Sequence, residues 1–148
     1  MMHMHHDSIQ GPCACTALRK AARAISRVYD EALSRRGIST AQFAVLRHIA
    51  RGEPVGLSQL ADQLVMDRTT LYRGVSPLEA KGWVTITQGP GKARIASLTP
   101  AGLAAMKEAE EDWQAVQTRI VSSLGADQWA MLQSSLRTVT EIARQEAR

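Results

Sequence analysis

Two short predicted helices joined by a tight turn constrain the fold of this chain more than any other feature. In the first, LSQLADQL (57–64), Ser58 is a candidate N-cap and the apolar residues share one side, at Leu57, Leu60, Ala61 and Leu64. Val65-Met66 leaves room only for a turn, and Asp67 is a good N-cap for the second helix, DRTTLYRGVSPLEAK. Two short helices joined by about three residues indicate a helix-turn-helix.

The second helix has a polar, basic face whose side chains suit DNA. A helix lying in the major groove presents its N-terminal side chains to base edges. We therefore predict that the apolar side packs against the domain, and that DNA is contacted by Arg68, Thr69, Thr70, Tyr72, Arg73 and Ser76. Ser58 and Gln59, on the preceding helix, are predicted to contact phosphate. Because Pro77 cannot donate to the carbonyl of Arg73, the helix is expected to kink near these residues.

A basic hairpin is predicted immediately after this helix. WVTIT (83–87) and KARIASL (92–98) alternate as strands do, and QGPG (88–91) forms the turn. Lys92 and Arg94 lie beside that turn, where a wing places cations on phosphate or in the minor groove. The helix alone is equally compatible with a solvated surface helix, and the adjoining hairpin favours DNA.

Long amphipathic helices flank this central part. We predict a disordered lead-in (1–11) and a single domain (12–148), with a first helix ending at Gly37, a second capped by Ser39 or Thr40, and two more beginning near Thr99 and Gly125. The fold class is mainly α with a small β-hairpin.

Charge and composition agree with a DNA partner and exclude a membrane-spanning helix. The net charge is +4, and Lys and Arg exceed Asp and Glu by six to three in residues 1–36 and by seven to four in 37–100, but not in 101–148. No apolar run approaches the roughly 18–20 residues needed to span a bilayer, and no secretory signal is evident. With only two cysteines, we expect a cytoplasmic protein.

The order LSQLADQLVMDRTTLYRGVSPLEAKGWV, hairpin, SLTPAG resembles the winged helix-turn-helix of the MarR transcriptional regulators, over about residues 13–145. The resemblance implies a homodimer joined by helices in 12–36 and 101–148, with a DNA-binding lobe in 38–100. It also implies a pseudo-palindromic operator and repression relieved by a small, often aromatic, ligand bound between the dimer helices and the lobe. Trp113 and Trp129 would pack in the core or dimer interface.

The wing departs from the family pattern. Such wings usually carry an Asp two residues before the arginine at the tip, and these positions are Pro90 and Lys92 here. Because Lys is a mobile point charge rather than a planar fork, we predict minor-groove contact that is weaker or less specific than is usual in the family.

Cys15 raises an alternative form of regulation. CTALRKAARAISRVYDEAL is similar to the first helix of the organic-hydroperoxide-sensing branch, in which a cysteine near the start of this helix is oxidised and DNA is released. Tyr29 matches a tyrosine of that branch, whereas Arg19, Thr40 and Phe43 depart from it. Free cysteines are also common in buried cores. An internal disulfide to Cys13 would require the first helical turn to unwind.

Other chemistry has little support. His3, His5 and His6 with the cysteines lack the fixed geometry of a metal site, so neither metal nor cofactor is predicted. The chain has no phosphate-binding loop and no nucleophile motif, which argues against an enzyme. A winged-helix module that binds protein instead of DNA remains the rival hypothesis.

Overall fold

The computed structural model describes residues 11–147. The predicted lead-in therefore lies outside the described residues except for Gly11, as do His3, His5 and His6.

Six α-helices and three short strands make up the described chain, which confirms a mainly helical fold with a small sheet. In chain order they are α1 (Ala14–Leu33, continued by a 3-10 turn Ser34–Arg36), α2 (Thr40–Gly52), β1 (Val55–Gly56), α3 (Leu57–Gln63), α4 (Arg68–Ala80), β2 (Val84–Gln88), β3 (Arg94–Leu98), α5 (Pro100–Leu124) and α6 (Ala126–Glu146).

Side-chain caps begin three of these helices. Ser39 forms a capping box with Gln42 on α2, the carboxylate of Asp67 accepts from the Thr70 N–H over 2.7 Å, and Thr99 starts α5. The predicted Ser58 cap is wrong. Gly56 is the N-cap of α3, because the chain turns into the helix directly after Gly56 pairs with β3, which leaves Ser58 inside the first turn.

The sheet has three antiparallel strands in the order β1-β3-β2, so the predicted hairpin gains a strand that the sequence analysis missed. Both hairpin strands also begin later than predicted. Trp83 still donates to the carbonyl of Leu78 at the end of α4, and Lys92 and Ala93 belong to the turn.

The core lies where α2, α3, α4 and the sheet meet. Leu71, Val75 and Leu78 are at most 2% exposed, as predicted for the apolar side of α4. Burying side chains of this size contributes about 1.5–3 kcal/mol each, which holds α4 against α2, α3 and the sheet. The helix continues through Pro77 to Ala80, so the proline does not end it.

The long helix α5 joins the lobe to α1. The rings of Phe43 and Trp113 lie 5.9 Å apart, and the guanidinium of Arg47 lies 4.3 Å from the Trp113 ring centroid. Arg35 and Arg36 pair with Asp112 at 2.6 and 2.9 Å. None of the helices in the described range is both long and apolar enough to cross a membrane.

Candidate nucleic-acid interface

A cleft of about 680 Å³ opens between α3, α4 and the wing, which is the hairpin β2–β3 with its turn. Six of the ten predicted contact residues line it, from all three elements: Ser58, Gln59, Arg68, Tyr72, Lys92 and Arg94. The folded chain thus gathers side chains that lie up to 36 positions apart in the sequence. Between them they present three cations and several hydrogen-bonding groups.

The other four predicted residues lie on α4 outside this cleft. Thr69, Thr70, Arg73 and Ser76 are all exposed. Each helical residue rotates the side-chain direction by about 100°. Relative to the buried face of α4, Thr69, Arg73 and Ser76 therefore point away from the core, while Arg68 and Tyr72 lie on the flank towards the wing. The exposed polar surface of α4 thus extends from its outward side to the cleft.

A cation–π contact joins α4 to the wing. The guanidinium carbon of Arg94 lies 5.6 Å from the ring centroid of Tyr72, within the range of a cation–π interaction. Arg94 is the first residue of β3 and pairs with Gln88, so the contact lies at the end of the ladder nearest the wing tip. The sequence indicated both residues as DNA contacts without indicating that they touch each other.

Glycines shape the tip of the wing. Gly91 has a φ of 68°, and a Cβ at Gly89 would lie 2.4 Å from the Cδ1 of Ile95. The tip closes by a 2.8 Å hydrogen bond from the Gly89 N–H to the Ala93 carbonyl. This leaves Lys92 exposed at the turn, where it also lines a groove of about 380 Å³ with Thr87, Gln88 and Arg94.

Thr87 and Gln88 are exposed polar residues that the sequence analysis did not select. The period-two alternation of β2 was the available signal, because it places residues 85 and 87 on the side opposite the buried Val84.

Asp67 contributes a fixed negative charge where α4 begins. The backbone N–H of Thr70 donates to its carboxylate, and this hydrogen bond, helped by the Thr70 hydroxyl, holds the pKa of Asp67 below its ordinary value. The cap therefore stays ionised at neutral pH. A carboxylate at this end of a helix also interacts favourably with the helix dipole.

Both cysteines lie at the start of α1, where Cys13 is the N-cap residue and Cys15 belongs to the first turn. They are free and exposed, so the interpretation of Cys15 as a buried core residue does not hold within this chain. Hydrogen bonds from the backbone and side chain of Thr16 lower the pKa of Cys13. Tyr29, which matches a tyrosine of the peroxide-sensing branch, donates a hydrogen bond from its hydroxyl to the side-chain oxygen of Gln117 on α5.

A second groove, of about 550 Å³, lies between α2, α3 and the end of α6. It is lined by His48, Arg51, Gly52, Asp62, Gln63 and Arg144. The groove thus lies between the DNA-binding lobe and α6, which is one of the helices expected to form the dimer. The family resemblance implies a ligand in this region. Its lining is polar and charged and contains no aromatic residue other than His48.

Comparison with known proteins agrees with this architecture. The model of the MarR family matches residues 36–95. The transcriptional regulator MosR of M. tuberculosis, solved in complex with DNA, is 30% identical with a TM-score of 0.83, covering 90% of this chain and 98% of that one. A mutant of MarR from E. coli, complexed with operator DNA, is 28% identical with a TM-score of 0.76, covering 84% and 91%. A search of curated proteins gave no match.

The matched segment begins at the end of α1 and ends in β3, so it contains α3, α4 and most of the wing. The structural similarity extends over the flanking helices as well, since it covers 90% of the chain. The chain belongs to the MarR family.

Proposed function

We propose that this protein is a homodimeric, sequence-specific DNA-binding transcriptional regulator. The observation that carries the proposal is the placement of the exposed polar face of α4 beside a basic wing, with the opposite face of α4 buried in the core. The DNA complexes of MosR and of E. coli MarR support it, because those proteins share this fold.

The predicted contacts other than Tyr72 divide into three groups in this proposal. The outward residues Thr69, Arg73 and Ser76 meet base edges, and an arginine is suited to guanine because it donates two parallel hydrogen bonds. Around them, Ser58, Gln59, Thr70 and Arg68 meet phosphates and set the position of the helix. From the wing, Lys92 and Arg94 approach the backbone or minor groove. These positive charges also bring the DNA in from a distance.

Apolar stripes on the flanking helices support the dimer. Of the residues of α6, none is buried in the single chain, and Leu132, Leu136, Val139 and Ile142 are 39–54% exposed. On α1, Leu18, Ile25 and Val28 are 37–38% exposed. Contiguous exposed apolar residues on a soluble protein often mark an interface. A second copy buries both stripes and presents two α4 helices to half-sites about 34–36 Å apart on a pseudo-palindrome.

We propose further that the protein represses transcription until a small effector binds. The polar groove between α2, α3 and α6 supports this placement, because it lies where the lobe meets the helices of the dimer. An effector held there favours one arrangement of lobe and dimer over another, which changes the spacing of the two α4 helices.

Thiol oxidation is a second candidate for the regulatory step. The exposure of Cys13 and Cys15 and the lowered pKa of Cys13 favour it, because the thiolate is the reactive form. Mass spectrometry after mild peroxide treatment tests it, with Cys13→Ser and Cys15→Ser variants as controls. Absence of an adduct or disulfide, together with unchanged DNA binding, would remove this candidate.

The proposed function is tested by mobility shift of a duplex from beside the gene of this protein, at several salt concentrations. We expect binding that weakens as salt rises, and that is reduced by Arg73→Ala but not by Arg137→Ala, an exposed arginine of α6 that lines neither the cleft nor the second groove. Absence of salt-sensitive binding to that duplex, and to duplexes selected from a random pool, would favour the protein-interaction module instead.

A further inference from the structure

We infer that Tyr72 is a positioning residue whose ring holds the wing through Arg94, rather than a residue that reads bases. This assignment rests on the proposed function and refines it, because it concerns how α4 and the wing meet DNA together.

Tyr72 lies on α4 between the outward residues and the wing, about 40° from Ser76 and about 60° from Thr69. With about 100° of rotation per residue, Tyr72 lies some 100° away from its neighbour Arg73. It lies nearer to Arg68, four residues earlier, and both line the cleft beside α3 and the wing, whereas Arg73 does not. The ring of Tyr72 therefore faces the wing, whereas the side chain of Arg73 faces outward.

The third strand, β1, supports the hairpin only as far as Ile95, which is short of the tip. The pairs between β1 and β3 are Val55 with Ala96 and Gly56 with Ile95, and Arg94 lies one residue beyond them. Past this point the described backbone hydrogen bonds of the hairpin connect β2, β3 and the turn only to one another. The cation–π contact between Arg94 and Tyr72 is therefore placed to set the angle between the wing tip and α4.

The contact leaves the cation available. Arg94 is exposed, and none of the described side-chain hydrogen bonds or ion pairs uses its guanidinium, so its N–H groups remain available as donors. Arg94 keeps donors for a phosphate while the ring restricts where they point. The same restriction reaches Lys92, two residues away at the turn, whose side chain lines the same cleft.

Hydrogen exchange of the free protein tests the anchoring without DNA. Replacing Tyr72 by Leu removes the ring, Arg94→Met removes the cation, and Tyr72→Phe keeps the ring face. We expect faster exchange of the hydrogen-bonded amides of Gly89 and Ala93 in Tyr72→Leu and Arg94→Met, and wild-type exchange in Tyr72→Phe. Unchanged exchange in both of the first two variants overturns the inference. Because the two approach one contact from opposite sides, a folding defect in either leaves the other as a test.

A double-mutant cycle then tests the consequence for DNA. On an operator duplex selected with the wild-type protein, loss of an exposed cation–π contact predicts about two- to fivefold weaker binding for Tyr72→Leu. The added effect of Tyr72→Leu is expected to disappear in the Arg94→Met background, and purely additive losses contradict the inference. If Arg73→Ala weakens binding while the cycle is additive, only the positioning role fails. If the wild type binds no duplex, the proposed function fails, and the exchange experiment still judges the contact.

Discussion

The guanidinium of Arg144, near the end of α6, donates a 2.9 Å hydrogen bond to the backbone carbonyl of Asp62 at the end of α3. This bond joins the last helix to the helix-turn-helix. A cation is favoured at this end of a helix, where carbonyl groups lack helical partners. The turn to α4 follows directly and contains Val65 with a φ of 55°, so Arg144 supports a backbone segment that orients α4.

Replacement of Arg144 by Ala is expected to increase hydrogen exchange at residues 64–66. Because the bond is exposed, the free energy of unfolding should fall by no more than about 1 kcal/mol. Arg137→Ala is the matched control, since Arg137 is exposed on the same helix and no described side-chain hydrogen bond or salt bridge involves it. Equal exchange at the turn in both variants would show that Arg144 does not support it.

Acid should weaken the contact between α1 and α5. Hydrogen bonds from Arg35, then Arg36, lower the pKa of Asp112 from 3.8 to about 2. A carboxyl whose pKa is depressed by folding stabilises the fold fully above its unfolded pKa, and this contribution is lost as the pH falls through the folded value.

Chemical unfolding of the wild type and Asp112→Asn checks this pH dependence. The difference in unfolding free energy should be constant above about pH 5 and should shrink between about pH 4 and pH 2. Glu108→Gln is the control, because that carboxylate lies 3.9 Å from Arg36 and is 67% exposed. A difference that stays the same down to pH 2 would argue against the ion pairs as the cause.

The wing tip should contribute less to specificity than the outward face of α4. Arg73→Ala is expected to cost about 1–3 kcal/mol of operator binding if the side chain pairs with a base. Lys92→Ala should cost less and act equally on operator and unrelated DNA, because the lysine is an exposed point charge. Titration of both variants against both duplexes measures this. If Lys92→Ala lowered operator affinity as much as Arg73→Ala, our account of the wing would be wrong.

The apolar stripe of α6 should be required for dimerisation. Leu136→Glu places a charge on the side shared by Leu132 and Val139, and burying an unpaired charge is costly. Sedimentation analysis is expected to show monomers for this variant and dimers for Ser134→Glu, whose exposed position lies on the opposite side of α6. A dimeric Leu136→Glu protein would place the interface elsewhere.

Local features of the sequence were sufficient to predict the helix-turn-helix. The Asp67 cap and the spacing of Leu71, Val75 and Leu78 depend on residues within a few positions, so they could be identified from the sequence alone. Exposure of the polar residues on α4 follows from the same periodicity.

Features that depend on distant pairing were not predictable. The strand at Val55–Gly56 exists because β3 offers a partner about 40 residues later, and this pairing moved the cap of α3 from Ser58 to Gly56. The contact between Tyr72 and Arg94 likewise depends on the angle between α4 and the hairpin. No periodicity encodes that angle, which is why both residues were predicted simply as DNA contacts.

The central claim is that α4 and the wing recognise a DNA sequence, and fluorescence anisotropy tests it most directly. A labelled operator selected from random duplexes and a scrambled duplex of equal length are titrated with the protein at increasing salt. We predict that the operator binds about a thousandfold or more tightly than the scrambled duplex, and that log K falls linearly with log salt for both. Equal affinity for the two duplexes, or binding that does not respond to salt, would contradict the claim.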